Sequence, residues 1–184
     1  MPRIVFALSL FATVFAFAAP VQAATIVVGG GLAEDCYKAS DDLRRDAVQI
    51  CTLALEANAP MSRRDRAATY INRGYALLYA GKYQDAMRDC ETSMRLAPEL
   101  GEAYLNRGVA LLALKRAEEA LGPINQSIEI GFDKLYLAYF NRAMAKEDLG
   151  DIKGAYEDYR KALELEPNFV LAANELKRFR VTDH

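Results

Sequence analysis

Tyr70-Ile71-Asn72-Arg73-Gly74 returns as Tyr104-Leu105-Asn106-Arg107-Gly108, and again as Tyr139-Phe140-Asn141-Arg142-Ala143. The tyrosines stand 34 and then 35 residues apart, and an alanine follows each by 16 residues: Ala86, Ala120 and Ala155. Pro98 and Pro167 are separated by the same two steps. This period limits the fold more than any other feature. A unit of that length cannot bury its apolar face alone, so successive copies must stack.

The copies resemble the tetratricopeptide repeat (TPR), a helix–turn–helix unit of about 34 residues patterned as aromatic, Leu-Gly, aromatic, Ala, aromatic and Pro. The first copy supplies Tyr70, Gly74, Leu77, Ala86, Cys90 and Pro98; the second Tyr104, Gly108, Leu111, Ala120 and Ile124; the third Tyr139, Ala143, Ala155, Tyr159 and Pro167. Departures are an arginine before the small residue in every copy, Phe132 where the second proline would stand, and Lys146 in place of an aromatic. The resemblance covers residues 67–169. It implies an all-α, right-handed superhelical solenoid of antiparallel helix pairs, with a binding scaffold's function.

Ahead of the repeats, Arg3 precedes an uncharged apolar run from Ile4 to Phe17, and Val21-Gln22-Ala23 offers small residues for cleavage. That pattern reads as a secretory signal peptide over 1–23. The rival is an uncleaved anchor, since Ile4 to Val21 approaches the length that crosses a bilayer. Expected divisions are the leader (1–23), a tail and degenerate helix pair (24–66), three repeats (67–100, 101–135, 136–169) and a capping helix with tail (170–184). Helices are expected over 33–39, 43–56, from Ser62 to 79, 83–96, 101–114, 117–130, 134–149, 152–165 and 169–179. Ser40-Asp41-Asp42 should break the first and cap the second, and Asn168 should cap the last. Pro123 should delay or kink its helix. Leu171, Leu176 and Phe179 should cover the final repeat.

Little here supports catalysis. The only histidine is the terminal His184, and three scattered cysteines match no metal-ligand spacing. Ile26-Val27-Val28-Gly29-Gly30-Gly31 leads into Glu34 and helices, not into a dinucleotide fold. The acidic pairs Glu118-Glu119, Glu147-Asp148 and Glu157-Asp158 read as solvated helix faces. Net charge is −2 without a basic block, which disfavours nucleic acid. No enzyme activity and no cofactor are expected.

Export permits disulfides. Cys36 and Cys51 lie on consecutive helices of one hairpin and are the expected pair. Cys51 and Cys90 hold equivalent places one repeat apart, too far for a bond, so Cys90 should stay a buried thiol. Arg73 and Arg142 each face an aspartate 16 residues on, Asp89 and Asp158, and should form structural ion pairs. Arg107 meets Pro123 instead, and must find another partner or solvent.

By the resemblance, a second stripe on each first helix faces the concave surface: Ile71, Asn72 and Tyr75; Leu105, Asn106 and Val109; Phe140, Asn141 and Met144. Such a strip would take a protein or peptide segment with apolar side chains. The alternative is that the stripe is core, covered by an end segment or the capping helix. The expected protein is a periplasmic or secreted adaptor. It would be a monomer or weakly self-associating, with no membrane contact once the leader is removed. The second candidate is a structural subunit joined through its end helices.

Overall fold

The computed structural model describes residues 3–6, 31–57 and 59–182. Most of the expected leader, its cleavage site after Ala23, the lead-in through Gly30, Asn58 and His184 lie outside them.

Nine helices follow one another among the described residues: α1 (Leu32–Asp41), α2 (Ala47–Glu56), α3 (Arg63–Tyr79), α4 (Tyr83–Leu96), α5 (Gly101–Ala113), α6 (Ala117–Ile130), α7 (Leu135–Asp148), α8 (Ile152–Leu165) and α9 (Val170–Leu176). The pairs α1–α2, α3–α4, α5–α6 and α7–α8 are antiparallel hairpins stacked in chain order, and α9 closes the last. Ser62 opens α3 by accepting the Asp65 N–H, and Asp151 opens α8 by accepting that of Gly154. Gly81 and Gly150 follow α3 and α7 with φ of 74° and 81°, the left-handed backbone that lets a helix stop and reverse.

Successive first helices, α1 with α3, α3 with α5 and α5 with α7, pack beside one another, whereas no comparable contact joins successive second helices. The stack therefore curves with its first helices inward. Asp41, at the end of α1, acts electrostatically on both Tyr75 of α3 and Lys134 just before α7. α5 sits at the centre of this curve and is buried nearly all round. One core runs through the three repeats, from Tyr75 and Met87 to Tyr159 and Phe179.

Four expectations are corrected. Ser40 caps nothing: it lies inside α1, fully buried, and its Oγ donates to the Asn72 carbonyl at 3.1 Å. The break falls at Leu43, whose φ is 52°, and α2 starts after Asp46. The start of α6 is not delayed: the helix begins at Ala117 and continues past Pro123, which is buried with Ala120 and Ile124 on the face turned to α5. Packing outweighs one lost helix hydrogen bond there. The final helix is only Val170–Leu176 and follows Phe169, not Asn168. Phe179 then begins strand β2 (Phe179–Thr182), paired antiparallel with β1 (Arg3–Phe6), Phe6 opposite Phe179. β1 falls within the expected leader.

Candidate functional site

The inner side of the stack decides the fate of the predicted strip. Ile71, Asn72, Leu105, Asn106 and Asn141 are 0% exposed, Phe140 3%, Tyr75 4% and Val109 7%; Met144 is half-buried. The strip is interior, and the expected open apolar groove is corrected. The cause is the packing of first helix on first helix. Ile71 is covered by Ala103 and Tyr104 of α5. Phe140 meets Phe169 at 5.0 Å and Tyr159 at 5.4 Å between ring centres. Tyr37 and Leu43 of the first hairpin pack on the cluster that holds Tyr75, Leu105 and Val109. Burial pushes the Tyr75 hydroxyl up to about 12. On the first helices, accessible apolar surface includes Leu78, Met144 and Tyr79, the last 67% exposed.

The three asparagines form a buried row with incomplete hydrogen bonding. Asn141 Nδ2 donates to the Leu137 carbonyl at 2.7 Å, and its Oδ1 has no partner; both amide atoms of Asn72 and of Asn106 have none. Unpaired buried amides are costly, so packing elsewhere holds this row in place.

Beside it run the arginines. Arg73 forks onto Asp89 at 2.7 and 2.8 Å, and its third nitrogen reaches Thr52 Oγ1 at 3.2 Å. Arg142 forks onto Asp158 at 2.8 Å through both nitrogens and reaches Asn125 Oδ1 at 2.8 Å. Hydrogen bonding to the aspartates holds both guanidiniums above their usual range. Lys146, one turn beyond Arg142, joins Asp158 at 2.8 Å. A cation at the aromatic position thus shares a buried acid, a role its spacing from Arg142 could have disclosed. Arg107 lies 3.5 Å from Glu91 Oε1, and its Nε makes no hydrogen bond. Of the acidic pairs, Asp158 is buried and Glu147 half-buried, and both are paired. Asp158 is in this cluster, and Glu147 accepts from Tyr159 Oη at 3.1 Å and pairs with Arg178.

Cys36 and Cys51 are disulfide-bonded, with Cα atoms 4.5 Å apart, and cross-link α1 to α2. Cys90 is a free thiol, fully buried, and burial pushes its pKa far up.

Glu102 escaped the sequence reading. In repeat register it stands where Ala68 and Leu137 stand, a carboxylate in a row of small and apolar side chains. It is 8% exposed. Burial raises its pKa, its own N–H pulls it down, Asp133 raises it and Arg64 lowers it. Comparing register positions across copies would have found it.

The described residues hold no cluster of metal-ligating side chains. No described helix is long and apolar enough to cross a membrane. A cavity of 510 Å³ opens between α8 and the C-terminal segment, against Tyr156, Leu163, Leu176 and Phe179.

A curved stack of antiparallel helix pairs is the architecture of a helical-repeat scaffold. Two of its helix pairs are matched by that description: residues 67–100 and 136–169 each match the tetratricopeptide repeat. The middle copy, with Pro123, lies outside both matches. The first TPR domain of Spaghetti (RPAP3), solved with the HSP90 peptide SRMEEVD, is 28% identical at a TM-score of 0.58, over 66% of this chain and 94% of that one. The second TPR domain of human RPAP3, solved with the HSP70 peptide SGPTIEEVD, is 27% identical at 0.56, over 61% and 92%. MamA matches at 0.63 over 81% and 82%, and at 19% identity shares the fold alone. No curated protein sequence matches the chain.

Proposed function

We propose that this protein is an exported, non-catalytic scaffold that binds a peptide or protein segment on the inner, first-helix side of its stack. The observation that carries the reading is the likeness of its repeats to TPR domains solved with bound peptides. Export rests on the leader pattern over 1–23 and on the disulfide at Cys36 and Cys51, a bond suited to an oxidising compartment.

The ligand differs from those chaperone tails. SRMEEVD and SGPTIEEVD carry acidic residues near their ends. The accessible side chains on the first helices here include the apolar Leu78, Tyr79 and Met144. An acidic tail would leave its charges unpaired against that side, whereas an apolar segment would not. The accessible entrance is at Leu78, Tyr79 and Met144.

Panning a random-peptide display library against the purified protein tests the reading. Selected peptides should bind in solution with one site per chain. Tyr79→Asp should weaken them, and Arg88→Asp, on the exposed face of the second helix α4, should not. Equal effects, or loss with Arg88→Asp alone, would place binding elsewhere. Intact mass from the exported fraction of a native host should show removal of residues 1–23.

A second reading, self-association through the ends, draws on the exposed Leu165, Val170 and Leu171 at the last repeat and Leu32 and Leu53 at the first. Mass in solution that rises with concentration would favour it.

A further inference from the structure

β2 is fixed in place by residues that lie outside the expected leader. Phe179, its first residue, is buried, and its ring stands 5.6 Å from that of Tyr156 and 5.9 Å from that of Tyr159, both on α8. Arg178, just before the strand, pairs with Glu147 of α7 and Glu175 of α9. These contacts position the strand whether or not β1 is present.

The edge of β2 that β1 covers depends on the leader. β1 is Arg3–Phe6, so all of it belongs to the expected leader, and it lies against α8 as well as β2. Removal of residues 1–23 would take away β1 and nothing else that is described. The backbone groups that β1 satisfies along Phe179–Thr182 would then stand on an open edge backed by a helix. Such an edge is a template for another extended chain, which it holds by main-chain hydrogen bonds.

We propose that, once the leader is removed, β2 and α8 form a strand-acceptor site that takes an extended segment of another protein in the antiparallel register of β1. This rests on the leader reading and is separate from binding on the inner side. The register states which segment fits, because residues directly opposite one another in an antiparallel pair share a face. The residue in the place of Phe6 stands opposite the buried Phe179, on the face turned to α8, and is best apolar. A cavity lined in part by Tyr156, Leu163, Leu176 and Phe179 lies on that side. The residue in the place of Val5 stands opposite Arg180, which is exposed and whose side chain makes no ion pair or hydrogen bond with a described residue. An aspartate or glutamate there would pair with Arg180 across the strands. The fitting segment therefore carries an acid directly before an apolar side chain.

The test compares protein recovered from the exported fraction of a native host, its mass confirming loss of residues 1–23, with the unprocessed full chain. Two labelled synthetic peptides are titrated into each: residues 2–8 as they stand, and the same peptide with Val5→Glu. The processed protein should bind both at one site per chain, the Val5→Glu form about twofold to fivefold tighter. The unprocessed chain, whose own β1 fills the place at high effective concentration, should bind both on the order of tenfold more weakly or less. Arg180→Glu in the processed protein should reverse the preference between the peptides. No binding to the processed protein, equal binding to the unprocessed chain, or a preference unchanged by Arg180→Glu would overturn the site while leaving export intact. A mass doubled by processing would give the place to a second copy and overturn the partner segment. Recovery of the exported protein with residues 1–23 still attached would overturn the leader reading and the site with it.

Discussion

A Cβ built on Gly108 would lie 2.4 Å from Cγ1 of Ile124, whereas one built on Gly74 meets nothing closer than 3.6 Å. The two glycines hold the same place in successive repeats, yet only the second is required by contact. Ile124 is fully buried and its Cγ1 sits near the base of the side chain, so it cannot swing clear. Gly108→Ala should destabilise by about 1–3 kcal/mol through overpacking. Gly74→Ala should be neutral or stabilise by about 0.5–1 kcal/mol, as a helix-interior glycine replaced without clash. Urea unfolding of the two variants, compared by midpoint at constant slope, checks the contrast.

The disulfide closes a loop of 15 residues in the terminal hairpin, which has a neighbouring repeat on one side only. Loss of the bond in Cys36→Ser/Cys51→Ser should cost about 3 kcal/mol on the chain-entropy account. Non-reducing peptide mapping of the purified protein should yield a Cys36–Cys51 peptide. Cys90 should resist alkylation in the folded state and react in denaturant, since it is inaccessible and its thiolate is disfavoured.

Phe140 is a test of interior against groove. Its ring packs on Tyr159 and Phe169, joining the two helices of the last repeat to the closing segment. Phe140→Ala should cost about 3–5 kcal/mol, which at this length lowers Tm by roughly 6–20 °C. A variant with unchanged Tm would mean that the ring is a surface residue in solution.

Glu102 also makes stability depend on pH. Its folded pKa is raised, chiefly by burial, so the folded state holds its proton to higher pH than the unfolded chain does. Stability contributed by this group therefore falls as pH rises from the ordinary carboxyl range through the folded value, then stays low. Glu102→Gln removes the penalty. The variant should melt higher than the parent at neutral pH, and the difference should shrink in acid, below the unfolded carboxyl range. Thermal melts at about pH 3 and about pH 7 measure it. A gap that widens in acid would contradict the assignment.

The repeat period, the helix ends at Tyr83, Leu96, Ala117, Ile130, Ile152 and Leu165, and the matching of Arg73 to Asp89 and Arg142 to Asp158 were all legible in the sequence. These depend on local signals or on a register that recurs with the repeat. A 16-residue offset on an antiparallel hairpin puts the same two side chains opposite one another in each copy. The sequence likewise determined that a chain with this period must bury its faces by stacking. Tertiary structure alone decided which side of each first helix became interior. The strip through Ile71, Tyr75, Leu105 and Phe140 has the composition of a sticky groove and of a core alike. Its burial depends on how tightly α3, α5 and α7 close on one another, a curvature set by many contacts between copies and encoded in no single one. The burial of Glu102 was hidden for the same reason: the charges that act on it, Arg64 and Asp133, come from α3 and from the turn before α7, far away along the chain.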